Sequence, residues 1–439
     1  MAVTAGTARA AITPPIGIPL SGFVGRGVAT DLHDDLWATV LVLADDRSPG
    51  DTRHALVTLD LIGLYSDELV AALKESVRAA TGIPPERVFL SCSHTHYGPV
   101  VAETGDMPGG RHPLAAAYRE HLSDAVARCV RVADAARVAV DVRVATGEVP
   151  LGVNRRKPGP DGSIELAPNP DGHVDAELSV VRFDAAEGRG RGGRVATLIS
   201  YACHPSSLES SVRSISADFP GILRDEVERS AGGRALFVQG AAGDIDPPDK
   251  RPDWARPQQI GAALGSAAIR LGASAATTPS APLASRRRRV ALARRGAASV
   301  TDAEAAVAEL RALDATPGAS GPATWWRELR VSEGEAVLAA LRDGRAPTID
   351  ADISALRIGD VALAFVPAEL FSELGVAIKR RSSAPVTLVV GYTDGALWYV
   401  PPRHAYEEGG YEVVDACRVA PGAGEELVDR VLALLHELF

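Results

Sequence analysis

Ser91-Cys92-Ser93-His94-Thr95-His96-Tyr97-Gly98-Pro99 follows directly on an apolar run, Val88-Phe89-Leu90. A strand that ends on His-x-His and turns at Gly-Pro presents both imidazoles at the margin of a sheet, where small-molecule and metal sites gather. Residues 197–203 form a second apolar run and deliver His204-Pro205 in the same manner. A third run, 361–366, leads into Pro367-Ala368-Glu369. Taken singly, each histidine also reads as an ordinary packed or surface residue, and Glu369 as an acid capping a helix. The repeated pattern of strand followed by ligand-type side chain points to a metal. Zinc fits, since a catalytic zinc takes three or four His, Glu, Asp or Cys side chains and leaves a position for water.

Outward from these segments, apolar runs alternate with helical stretches. Strands are predicted over 36–44, 55–61, 138–146, 178–183, 235–239, 353–358, 361–366 and 386–391. Helices are predicted over 66–81, opened by Ser66 and closed by Gly82, and over 113–136, 221–230, 258–271, 368–381 and 424–438. Residues 151–175, rich in Gly, Pro, Asn and Asp, read as one long loop, 187–194 as a surface linker, and 274–284 as a connector between two halves. The stretch 301–342 reads as a helical hairpin broken at 316–322, a lid or packing element over the sheet. The alternation predicts an α/β fold of mixed β-sheets flanked by helices.

Composition narrows the class of protein. With 46% apolar and 23% charged residues, the chain is suited to a large packed core and ill suited to disorder. A formal charge of -10 argues against nucleic acid and against stable association with an anionic membrane. The basic run Arg286–Arg289 reads as the solvated face of a strand. No apolar run approaches the roughly 18 residues of a membrane helix, and the first residues lack the basic-then-apolar order of a secretory signal, so a cytoplasmic location is expected. The 4 cysteines include no Cys-x-x-Cys, so buried packing is expected for Cys92 and Cys203.

Several motifs in order resemble the neutral/alkaline non-lysosomal ceramidases, in their N-terminal catalytic domain. They are the Ser-His94-Thr-His96-x-Gly-Pro segment, Asn154-Arg155, His204-Pro-Ser-Ser, Gln239-Gly-Ala-Ala-Gly-Asp244, Pro-Ala-Glu369 and a late tyrosine pair, spread from about Gly6 to Cys417. The resemblance implies a single ceramidase-like catalytic domain over 1–439, with the helical insertion at about 301–345. It implies a zinc held by His94, His204, Glu369 and Tyr399. It also implies that His96 assists the chemistry, that Arg155 faces the substrate and that Tyr411 is a second active-site tyrosine.

The chain departs from the family pattern in two places. Asp246, in Gly243-Asp244-Ile245-Asp246-Pro247, stands where the ceramidases have serine. An ionised carboxylate only accepts hydrogen bonds and adds negative charge. Facing the pocket, Asp246 favours a substrate with an amine, a guanidinium or several hydroxyls; facing a turn, it caps backbone amides. The sequence also ends soon after the tyrosines, where the ceramidases carry a further β-rich domain, and a soluble small substrate is therefore expected. The reading is a zinc-dependent hydrolase of an N-acyl amide bond, acting through a metal-activated water. The alternatives are a zinc esterase or lactonase, a ceramidase proper, and a catalytically silent binding protein. Asp34, Asp60 and Asp218 are candidate neighbours of the metal or plain caps; Trp325, Trp326 and Trp398 line an apolar pocket or pack the core. The oligomeric state is not legible.

Overall fold

The computed structural model describes residues 3–102, 112–186, 193–312 and 322–439. Its spine is a nine-stranded mixed sheet. In spatial order, the main path runs Arg234–Gln239, Arg194–Tyr201, Glu177–Ala185, Val138–Glu148, Val3–Ala11, Trp37–Asp45, His54–Leu59, Val88–Cys92, and Ala276–Thr278 pairs with Val138–Glu148. A four-stranded sheet, Leu283–Ala293, Thr348–Ile358, Val361–Phe365 and Val386–Val390, packs against it.

Side-chain alternation explains the layering. Along one strand Val40 and Val42 join the core beneath the helices Asp67–Thr81 and Pro113–Ala135, while Leu41 and Leu43 join the core between the two sheets. The smaller sheet does the same: Leu363 and Phe365 face the larger sheet, and Ala362 and Ala364 pack with residues of the helices Ser372–Arg381 and Ala423–Leu438. A period of two with both faces apolar dictates burial on both sides, and the outcome is helix, sheet, sheet, helix. Phe89 and Phe365 stack across the inter-sheet core with ring centroids 4.5 Å apart, a contact worth about 0.5–1.5 kcal/mol beyond its burial. Helix Asp67–Thr81 begins and ends where expected: Ser66 Oγ accepts from Leu69 N at 3.1 Å, and Gly82 takes the left-handed conformation at φ 78°.

Within these two sheets, three pairs of neighbouring strands are parallel: His54–Leu59 with Val88–Cys92, Arg194–Tyr201 with Arg234–Gln239, and Val361–Phe365 with Val386–Val390. The segment after the last of these strands ties the sheets together. Gly391 N donates to Gln239 O at 3.0 Å, and Cys92 N donates to Tyr392 O at 3.0 Å. The carboxyl ends of all three pairs therefore meet at one end of the sandwich, where open α/β sheets place their ligands.

Three expectations about local structure are corrected. Residues 151–175 are not one loop: Val153–Pro158 and Ile164–Asn169 pair antiparallel around a turn containing Gly162 at φ 84°. The turn residues masked the short strands on either side. The helix expected from residue 368 begins only at Ser372, because Glu369–Leu370 is extended and pairs in parallel with Tyr399–Val400. Ala276–Thr278, expected as connector, adds a strand to the large sheet. Arg286–Arg289 do lie on a strand at the edge of the smaller sheet. The helical region beyond residue 300 contains Val300–Ala312 and Pro322–Arg342; most of the expected break at 316–322, the linker at 187–192 and the side chain of Trp325 lie outside the described residues.

Candidate metal centre and adjoining cavity

His94 follows the strand Val88–Cys92 by two residues and sits at φ 68°. A β-carbon makes this conformation costly, and such residues persist where the surroundings over-determine them. Here His94 N donates to Leu61 O at 2.9 Å, and Nδ1 donates to Ile62 O at 2.5 Å. Tyr392, itself at φ 54°, lays its ring over the imidazole at a centroid distance of 4.1 Å. Because a carbonyl can only accept, Nδ1 carries the proton and the Nε2 lone pair is free.

His204 is set the same way. Its Nδ1 lies 2.6 Å from Ala242 O and 3.1 Å from Ile245 O, which again leaves Nε2 without a proton. Gln239 secures the strand end by donating from Nε2 to Cys203 O at 2.7 Å. Burial, with Arg155 nearby, pushes the His204 imidazolium down to about 4, so the ring is neutral at pH 7.

Glu369 reaches the same point from the second sheet. Its Oε2 is 3.2 Å from His94 Nε2 and 3.3 Å from His204 Nε2. Three lone pairs thus converge, and Glu369 Oε2 and His204 Nε2 are buried without a hydrogen-bond partner. A cation between them relieves that repulsion, so the donors present fit a metal ion. His96 stands beside them: one ring nitrogen each of His94, His96 and His204 lie within 4.8 Å of one another, and both nitrogens of His96 are buried without a partner. The three histidines could hold a metal ion among themselves.

Tyr399 is brought in by the short parallel pairing, directly opposite Glu369. Its ring runs nearly parallel to that of His204, at 18° and 6.4 Å, and Tyr411 approaches it edge-on at 5.7 Å. Arg155 comes from the Val153–Pro158 strand and lies 5.3 Å over the Tyr399 ring. Its Nε donates to Glu412 Oε1 at 2.8 Å and Nη1 to Asp246 Oδ1 at 3.2 Å, while Nη2 is buried with no partner. The structure thus brings His94, His96, His204, Glu369, Tyr399, Tyr411, Arg155 and Asp246 into one neighbourhood.

Both carboxylate oxygens of Asp246 are engaged by cations. Its Oδ1 accepts from Arg155 and from Ser206 Oγ at 3.2 Å, and its Oδ2 pairs with Lys250 Nζ at 2.8 Å. Burial alone would raise its pKa, but Lys250 and Arg155 hold it well below the usual carboxylate range. Asp34, Asp60 and Asp218 serve the frame. Asp60 binds Arg224 through both oxygens at 2.8 and 2.6 Å, Asp34 accepts from Ser216 and Ala217, and Asp218 accepts from Ser207 N at 2.8 Å. Cys92 and Cys203 are buried and free, and burial raises both thiols, as inert packing requires.

A cavity of about 590 Å³ opens from His94, His96 and Glu369. Its lining includes the apolar and aromatic side chains of Ile62, Tyr65, Trp326, Trp398 and Tyr411, and the 19–28 segment with Lys250. A second cavity of about 330 Å³ adjoins it across Arg155, Leu166 and Lys250. Sequence reasoning missed Tyr392, Glu412, Arg26 and Lys250. It also gave no role to Asp244, although that residue closes a quoted motif: Asp244 accepts from Ser372 N at 2.7 Å and from Asn154 Nδ2 at 3.0 Å, joining the hairpin to the helix after Glu369.

No protein-family model and no curated protein sequence matches this chain. Solved structures do match over its whole length. A crystal structure of neutral ceramidase from Pseudomonas aeruginosa superposes with a TM-score of 0.77 at 21% identity, covering 100% of this chain and 74% of that one. A structure described as ceramidase complexed with C2 gives a TM-score of 0.74 at 20% identity, covering 100% and 75%. The chain has a ceramidase-like α/β fold, and a buried cluster of histidines able to hold a metal ion borders its larger cavity.

Proposed function

We propose that the protein is a zinc-dependent hydrolase that cleaves the amide bond of a small, soluble N-acyl substrate. The observation behind this reading is the convergence of His94 Nε2, His204 Nε2 and Glu369 Oε2, each imidazole fixed through Nδ1 by a backbone carbonyl. Similarity in fold to ceramidases supports amide chemistry on that centre.

His94, His204, Glu369 and Tyr399 would hold the ion, a nitrogen and oxygen set that suits zinc. When bound, zinc supplies a nucleophilic hydroxide near neutral pH and a positive charge against the scissile carbonyl. The remaining steps fall to the chain. Arg155, with Nη2 unspent, donates to the carbonyl oxygen as charge develops there, and its two carboxylate partners keep the guanidinium in place. His96, neutral through burial and with neither nitrogen engaged, takes a proton at one nitrogen and passes it toward the leaving amine. The aromatic wall excludes water and binds the apolar part of the substrate.

The test is metal analysis of the purified protein alongside an assay of amine release from an N-acyl amide, for the native chain and His204→Ala. The native protein should hold one zinc per chain and release equal amounts of acid and amine, and the variant should lose both. Zinc retained in full by His204→Ala would remove the ligand set; tight substrate binding with no turnover would identify a binding protein instead.

A further inference from the structure

The chemistry above leaves open what the substrate carries besides its amide bond, and the ionic side chains around the larger cavity bear on this. Three cations line it, Arg26, Arg155 and Lys250, against a single carboxylate, Glu369, whose Oε2 is turned to His94 and His204. Arg155 is balanced by Asp246 and Glu412. Lys250 leans on Asp246 through Nζ, yet its side chain is 30% exposed and borders both cavities, so the ammonium keeps donors facing open space. Arg26 has no counter-charge: among the described residues no carboxylate oxygen lies within 4.0 Å of it. Its Nη2 donates to Ser21 O at 2.6 Å and His96 O at 2.5 Å, its Nε and Nη1 are buried without partners, and its guanidinium stands 5.2 Å from the rings of Phe23 and Tyr97. Lys250 Nζ lies 5.7 Å from the centroid of the same Phe23 ring.

The ionic lining of the cavity is therefore positive beyond its carboxylates, and beside it the lining is rich in aromatic and aliphatic side chains. Asp246 borders the second cavity rather than this one, and both of its oxygens already pair with cations. A half-exposed ammonium with a buried, unbalanced guanidinium behind it attracts an anion.

We infer that the substrate is an amphiphilic amide with an apolar chain on one side of the scissile bond and a carboxylate on the other, the carboxylate bound by Lys250 with the charge of Arg26 behind it. Lys250 is thus a specificity-determining residue. The inference rests on the amide-hydrolase reading for the bond cleaved, but not for the charge preference, which binding alone reports.

The experiment uses the zinc-loaded protein and four amides of one chain length. N-octanoylglycine carries its carboxylate on the amine side and N-octylsuccinamic acid on the acyl side; in the other two, a hydroxymethyl group replaces each carboxylate. Binding is read by calorimetry and cleavage by product release. At least one acid should surpass its neutral partner by about tenfold or more in affinity or kcat/KM. That ratio should shrink as salt rises and should fall by about tenfold in Lys250→Gln. The acid that is preferred identifies the fragment that carries the charge. Equal treatment of acids and neutral partners overturns the inference while cleavage of all four keeps the hydrolase; charge-selective binding without cleavage does the reverse. The salt series on the native protein decides the matter if Lys250→Gln does not fold, and a salt-independent ratio overturns the inference.

Discussion

The two sides of the larger cavity are made from different materials. On the metal side, His94, His204 and Glu369 stand just past the ends of buried strands, and backbone carbonyls hold the imidazoles. On the cationic side, the 19–28 segment is a loop with Gly22, Gly25 and Gly27 all at positive φ, and its charges act through space. Under the proposed function, the contrast gives reaction geometry and substrate choice separate supports. A strand end displaced by one residue would scatter the ligands, whereas a loop can exchange side chains without moving a strand.

The largest expected break falls on the metal side. Glu369→Ala should abolish zinc binding and lower kcat/KM by at least about 10³-fold, checked by metal content and by amine release together. Unchanged metal content would move the centre to the three histidines alone. Next comes a place where the loop presses on the fixed side. A β-carbon on Gly22 would lie 2.6 Å from His96 Cα, and the residue's φ of 91° already disfavours any side chain. Gly22→Ala should therefore displace His96 and cost about 10- to 100-fold in kcat. If zinc stays, His96 serves the substrate; if zinc falls as well, His96 is a ligand.

A smaller effect is expected at Asp246. Asp246→Ser removes a counter-charge shared by Arg155 and Lys250, so preference should move about three- to tenfold toward anionic amides, measured as a kcat/KM ratio between acid and alcohol headgroups. This reverses the direction anticipated from the sequence, where Asp246 was considered alone. The smallest effect on turnover is expected far from the cavity. His54 bonds to Thr52 O at 2.8 Å and to Ser285 Oγ at 3.0 Å across the two sheets, and burial pushes its pKa from 6.5 down to about 4. A folded pKa below the unfolded one means that its contribution is complete above about pH 6.5 and is lost as pH falls through about 4, a swing of at most about 3 kcal/mol. Thermal melts from pH 7 to 4 should show that loss in the native chain and a shallower slope in His54→Gln.

The legibility of the sequence follows the same division. Strand ends bearing His94 and His204 are readable because a short, largely apolar run and the side chain it delivers are local. The approach of Glu369 was anticipated, but its support was not. A two-residue strand pairing Glu369 with Tyr399 leaves no periodic trace, and the site looked like a helix start. The hairpin bearing Arg155 hid behind Gly, Pro and Asn, which signal turns but not the short strands they connect. Arg26 and Lys250 lie far apart in the chain and meet only around Phe23, so no spacing rule could pair them.

The pairing of residues 369–370 with 399–400 also bears on how the protein is made. The candidate ligands at 94, 204, 369 and 399 leave a ribosome in that order, and no two of them form a local chelate. An ion cannot nucleate such a centre in a growing chain, because the last loops must close before the donors meet. Zinc capture would then be among the final events of biogenesis, and metal content would serve as a proofreading mark for chains that have completed their second sheet.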